Sequence, residues 1–170
     1  LREGVTRSIS AENPDGEVAT IERTLWRSHH GPMVDVPLLG WSEQMAFALG
    51  DVNDGNDRFL GQYLAMDRAT SVGDLRAAVH EHQGLPWVNV IAADRDGDVW
   101  YADPSPTPNL SPEVDAAFDA AVEADPITAL FFSQRVALLN GSDPATEWVV
   151  ADGAHTVGAV PTATLPEMLT

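Results

Sequence analysis

The reversal Asp94-Arg95-Asp96-Gly97-Asp98 most restricts how this chain folds, because it joins two short β-rich runs, Trp87 to Ala93 and Val99-Trp100-Tyr101-Ala102. Gly accepts the positive φ that a tight reversal demands, and Asp supplies local side-chain acceptors. Trp87 to Asp103 therefore reads as a β-hairpin whose first strand is buried. A second hairpin is written near the start: Gly4 to Ser10 and Glu17 to Ser28 alternate as strands, with Pro14-Asp15-Gly16 as the turn. After Gly31-Pro32 come a short strand at Met33 to Val36, an apolar loop around Leu38-Leu39-Gly40-Trp41, and Gln44 to Leu49, whose period suits a strand or a helix.

Helical spacing takes over further on. Phe59, Leu60, Tyr63 and Leu64 fall on one helical face within Asn56 to Met66. Ser71 with Asp74 three residues on announces a second helix that turns Val72, Leu75 and Val79 inward and ends with Gly84 at its C′ position and Pro86 beyond. Pro104, Pro106, Pro108 and Pro112 make an extended connection into a third helix, capped by Ser111 and stopped at Asp125-Pro126. Ile127 to Leu139 is apolar without a decisive period, Asn140 to Pro144 is a turn, Trp148-Val149-Val150 is a short strand, and 153–170 reads as a loop-like tail. Strands first and helices later make the fold class α+β.

Composition narrows the function. The formal net charge is −17, all nine cations are Arg, and there is no Cys. A polyanion binder needs a basic footprint, so nucleic acid and anionic membrane surfaces are excluded as partners. No apolar run reaches the roughly 18–20 residues of a membrane span, and disulfide and thiolate-zinc chemistry are absent. The opening Leu1-Arg2-Glu3-Gly4-Val5-Thr6 has neither an initiator Met nor a signal segment and reads as a cut piece.

The ordinary catalytic patterns are missing. His80 and His82 lie two apart on a helix and so point in separate directions, and His29-His30 precede a turn. Asp94, Asp96 and Asp98 alternate like a calcium loop, but the Gly is early and no Glu follows at the twelfth position. They remain the basis of a rival reading as a non-catalytic acidic calcium-binding or interaction module. There is no G-x-S-x-G elbow and no glycine-rich phosphate loop. No cofactor and no metal is expected.

Two segments go further: Arg23-Thr24-Leu25-Trp26-Arg27-Ser28-His29-His30-Gly31-Pro32-Met33-Val34, and Gly84-Leu85-Pro86-Trp87-Val88-Asn89-Val90-Ile91-Ala92-Ala93-Asp94-Arg95-Asp96-Gly97. Their order and spacing, with Leu139-Asn140-Gly141-Ser142-Asp143-Pro144 and Glu147-Trp148 later, resemble the β-chain interior of the penicillin acylase family. The likeness is greatest to its acyl-homoserine-lactone and aculeacin acylase branch. The resemblance implies a partial piece of a four-layer αββα N-terminal-nucleophile hydrolase, so that 1–170 is one incomplete β-chain segment. It implies a precursor that cuts itself and is exported to the periplasm or beyond, and an N-acyl amide as substrate: an acyl-homoserine lactone, a lipopeptide or a β-lactam side chain. The nucleophile, the leader α-chain and the remainder of the β-chain would lie outside this segment, leaving it inactive alone.

One catalytic position carries over by resemblance: Asn89, in Pro86-Trp87-Val88-Asn89, matches the family Asn whose side-chain amide holds the oxyanion. A neutral donor aimed in advance at developing charge suits that role. Trp41, Phe47 and Trp87 are candidates to line an acyl pocket, with core packing as their ordinary alternative. Where the penicillin-type branch carries an Arg in a Pro-Asp-Arg word, this chain has Pro104-Ser105-Pro106-Thr107-Pro108-Asn109. An Arg-assisted arrangement, and penicillin itself as substrate, are thereby in question.

Overall fold

The structure, a computed structural model, describes residues 3–37 and 39–170; Leu1, Arg2 and Leu38, named above, lie outside them. The chain forms two compact units, the first reaching to Asp51 and the second Val52–Thr170. Together they are α+β, as the turn spacing indicates.

In the first unit, β1 (Glu3–Glu12) and β2 (Val18–Ser28) pair antiparallel from Glu3↔Arg27 to Glu12↔Val18. The expected turn closes them. Gly16 N–H donates to Asn13 O at 2.9 Å, Asn13 N–H donates to Glu17 O at 2.8 Å, and Gly16 takes φ +82°. Pro14 presets one central φ, and glycine alone adopts the positive one cheaply. β3 (Gly31–Val34) and β4 (Phe47–Ala48) complete the order β1-β2-β3-β4. β3 starts earlier than the Met33 boundary suggested, because Gly31 at φ +129° lets the backbone come against Leu49 O, where a Cβ would collide. Of Gln44 to Leu49, only Phe47 and Ala48 pair, with Val34 and Met33.

In the second unit, α1 (Phe59–Met66) and α2 (Val72–His82) precede β5 (Val90–Ala93) and β6 (Val99–Ala102). α3 (Pro112–Ala124), α4 (Pro126–Ser133) and β7 (Glu167–Leu169) follow. Ser71 caps α2 as its position suggests, accepting from Asp74 N–H at 3.0 Å. The left-handed residue ending α2 is Gln83, at φ 49°, not Gly84. Gly84 is glycine for a different reason: a Cβ there would lie 2.9 Å from Arg58 C and O, where α1 begins. Pro126 does more than stop α3. It opens α4, with Asp125 accepting from Thr128 N–H at 2.9 Å, and so resolves the ambiguous apolar stretch.

Three expectations are corrected. The first hairpin strand is shorter, at Val90–Ala93, and half-buried rather than buried: Val90 and Ile91 are 8% and 77% exposed. Trp148 to Val150 forms no strand; Val149 bonds to Asn109 instead, through both its N–H and its carbonyl. The tail is not merely loop, since 153–170 includes a 3-10 turn at Thr162–Thr164 and β7, which adds to the sheet in the order β5-β6-β7. A three-residue strand paired to a distant partner is too short to leave a periodic signal.

The core sits between α2 and one face of that sheet. Val72, Val79, Leu85, Val90, Trp100 and Ala102 form it, with Met66, Leu75, Val88 and Ala92 packed around. Gln62, fully buried between α1 and α2, donates to Ala78 O and accepts from Gly84 N–H, so its burial leaves neither group idle.

Candidate active-site segment

The β5–β6 hairpin sorts its residues by face. Register pairs Val90↔Ala102, Ile91↔Tyr101 and Ala92↔Trp100, and on the other side Tyr101↔Met168. Strand alternation turns Val90, Ala92, Trp100 and Ala102 to α2. Ile91, Tyr101 and Met168 then lie on the opposite face, where they are 77%, 37% and 64% exposed. Asn89, immediately before β5, belongs by the same alternation to this open face and is itself exposed.

The side chain of Asn89 is held on one side only. Tyr101 Oη donates to its Oδ1 at 3.0 Å, across the diagonal of the strand pair. The Nδ2 donors make no hydrogen bond among the described residues. Val88 N–H donates to Ser105 Oγ at 3.1 Å, which anchors the backbone next to Asn89. Trp87, two residues before it, stands at φ 51° and is 73% exposed. That corrects core packing for Trp87. The arrangement can offer two neutral N–H groups on a face that also carries Ile91, Tyr101 and Met168, and neutral donors of this kind suit an anionic tetrahedral centre.

Trp41 and Phe47 lie in the first unit and share one neighbour. Trp41 Nε1–H donates to Val34 O at 2.7 Å, and Phe47 pairs with Val34 in the sheet. Phe47 is half-buried and Trp41 is exposed at its margin, so neither is a fully buried core residue.

The Asp cluster is a turn with a structural duty. Asp94 Oδ1 accepts from Asp96 N–H at 3.0 Å and Asp98 N–H at 3.1 Å, and its Oδ2 accepts from Val72 N–H at 3.0 Å. The bond from Val72, first, and those from the turn hold the Asp94 carboxyl below the usual carboxylate range. It thus ties the hairpin to the start of α2. On the α2 side of the sheet, Glu167 accepts from Trp100 Nε1–H at 2.8 Å and from the Arg76 guanidinium, and lies 3.3 Å from His80 Nε2. Arg76 is the chief reason the Glu167 carboxyl sits below its ordinary range.

Sequence reasoning missed Tyr101 and Glu167. Tyr101 was accessible in principle, since a fixed turn fixes register and register brings 101 diagonal to 89. Glu167 carried no signal, because its partners lie far away in the chain.

Residues 3–170 match the penicillin amidase family. The acyl-homoserine lactone acylase PvdQ of Pseudomonas fluorescens is 35% identical over 165 residues, 96% of this chain and 20% of the relative. The corresponding acylase of Pseudomonas putida is 31% identical over 165 residues, with 96% and 20% covered. Aculeacin-A acylase of Actinoplanes utahensis is 37% identical over 164 residues, with 96% and 19% covered. The chain spans about a fifth of the length of these curated relatives.

Proposed function

Because the chain belongs to the penicillin amidase family, we propose that it is the oxyanion-bearing segment of an exported amidohydrolase that cleaves the linear amide of an N-acyl substrate. The observation that supports this reading is Asn89, the amide to which the sequence resemblance gives the oxyanion role: it stands on an open sheet face with its oxygen engaged by Tyr101 and its N–H donors available. The nucleophile is supplied by another part of the protein. In an N-terminal-nucleophile hydrolase it is a Ser whose own α-amine, with a pKa near roughly 7.7–8.0, takes the hydroxyl proton. Attack on the amide carbon forms a tetrahedral anion, Asn89 Nδ2 donates to that oxygen, and the amine departs with a proton. Water then releases the acyl group as a carboxylic acid. Asn89 acts at both tetrahedral stages without itself exchanging a proton.

Acyl-homoserine lactones and acylated peptides are the substrate classes proposed, supported by an acyl-homoserine lactone acylase and an aculeacin-A acylase that each match nearly the whole chain. Trp87, beside Asn89, is proposed to contact the acyl chain, and Trp41 and Phe47 are proposed as further lining. Periplasmic or extracellular placement and assembly with a separate α-chain belong to the same proposal. No helix among the described residues is long and apolar enough to cross a membrane.

The test uses the full-length, mature protein with N-acyl-homoserine lactones and acylated peptides, following appearance of the free amine. Release of the amine with the lactone ring intact is the expected result. Ring opening without amine release, or turnover of neither class, contradicts the reading.

A further inference from the structure

We infer that Tyr101 is a positioning residue for the reaction: its phenol fixes which end of the Asn89 amide faces the reacting carbonyl. The inference rests on the oxyanion role proposed for Asn89 and adds a second residue to it. A side-chain amide has an acceptor end and a donor end, and rotation by half a turn about its last bond exchanges them. Presented the wrong way, Asn89 would turn a carbonyl oxygen toward the developing anion and repel it. The terminal torsion of Asn is broad, so rotamer preference alone does not choose.

Tyr101 makes the choice. Its hydroxyl donates to Asn89 Oδ1 at 3.0 Å, which consumes the acceptor end and leaves both Nδ2–H groups directed elsewhere. The phenol is itself placed by two ladders, opposite Ile91 in β5 and Met168 in β7. Trp100 and Ala102 on either side of it are 0% and 3% exposed, so the backbone carrying Tyr101 is pinned from the α2 face. A strand paired on both sides thus holds a donor against a residue that lies just before the first paired position of β5. Preorganisation of this kind lowers the cost of reorienting a dipole as charge develops.

The test is a double-mutant cycle in the full-length mature enzyme, with Tyr101→Phe, Asn89→Ala and the double variant, rates being normalised to titrated active sites. Phe keeps the ring and removes only the donor. Y101F is expected to lower kcat roughly three- to tenfold, the worth of one hydrogen bond, with KM within about twofold. In the Asn89→Ala background the same change is expected to have no effect on kcat, because no amide remains to orient. An alkyl boronate, which forms a tetrahedral anion on the nucleophile, should lose affinity for Y101F by the same factor as kcat, while the carboxylic acid product should not. Should Y101F fail to mature, the comparison is made on chains co-expressed already cut. An unchanged kcat and boronate affinity in Y101F, with Asn89→Ala impaired, overturns the inference and leaves the oxyanion role standing. An equal loss from Y101F with and without Asn89 overturns it too, since Tyr101 would then act independently. A normal kcat in Asn89→Ala removes both.

Discussion

Gly84 lies where the start of α1 presses on the chain leaving α2, and the atoms a Cβ would meet at 2.9 Å are the backbone C and O of Arg58. Backbone cannot swing aside as a flexible side chain can, so Gly84→Ala is expected to cost about 1–3 kcal/mol and lower the melting temperature. An unchanged Tm would show that the two helices can separate freely. Glu167 makes a pH-dependent contribution of known sign. Its folded-state pKa is depressed, chiefly by Arg76, so its stabilisation is present above the unfolded value near roughly 4.3 and is lost as pH falls through the folded value. Glu167→Gln keeps an acceptor for Trp100 Nε1–H but loses the ion pair with Arg76. Arg76 is part-exposed and the pair is screened, so the variant is expected to be less stable by about 0.5–1 kcal/mol at neutral pH and to lose less on acidification than the parent. Parallel acid melting curves would contradict this.

Elements were legible in the sequence wherever a local rule dictated them. Pro14-Asp15-Gly16 and Asp94 to Asp98 specify reversals by φ and Asx geometry, Ser71 and Ser111 mark helix starts, and all four appear in the structure. What escaped was set by distant partners. β7 forms by pairing with β6, with Glu167 gripped from α2 and β6 besides, and the strand expected at Trp148 to Val150 is displaced by bonds to Asn109. Asn89 could be read only through a family likeness, because a lone Asn before a strand resembles any other. At this scale Asp94 joins hairpin to helix, and its oxygens already hold three backbone N–H groups. Asp94→Asn is therefore expected to lower the Tm by the same amount in millimolar calcium as in chelator. A loss confined to the calcium arm would mean that the turn binds the ion.

At the scale of the molecule, the second unit buries one face of its small sheet and leaves the other open. Ile91, Tyr101 and Met168 share that open face, and Leu60, Val150 and Val157 elsewhere are each at least 70% exposed. Apolar surface on this scale normally meets other protein or a ligand, and the relatives carry about four-fifths of their length outside the match. Residues 1–170 alone are therefore expected to bind a hydrophobic dye and to hydrolyse neither an acyl-homoserine lactone nor a chromogenic acyl amide. Turnover that survives removal of contaminants would place the nucleophile within this segment. The most direct measurement of the central claim is the steady-state kinetics of Asn89→Ala in the full-length enzyme, made on protein confirmed to have matured. A donor that acts on the transition state predicts a fall in kcat of roughly 10²–10³ with KM changed by only a small factor. Normal maturation with a near-normal kcat would contradict it and leave Asn89 as a structural residue at the start of a strand.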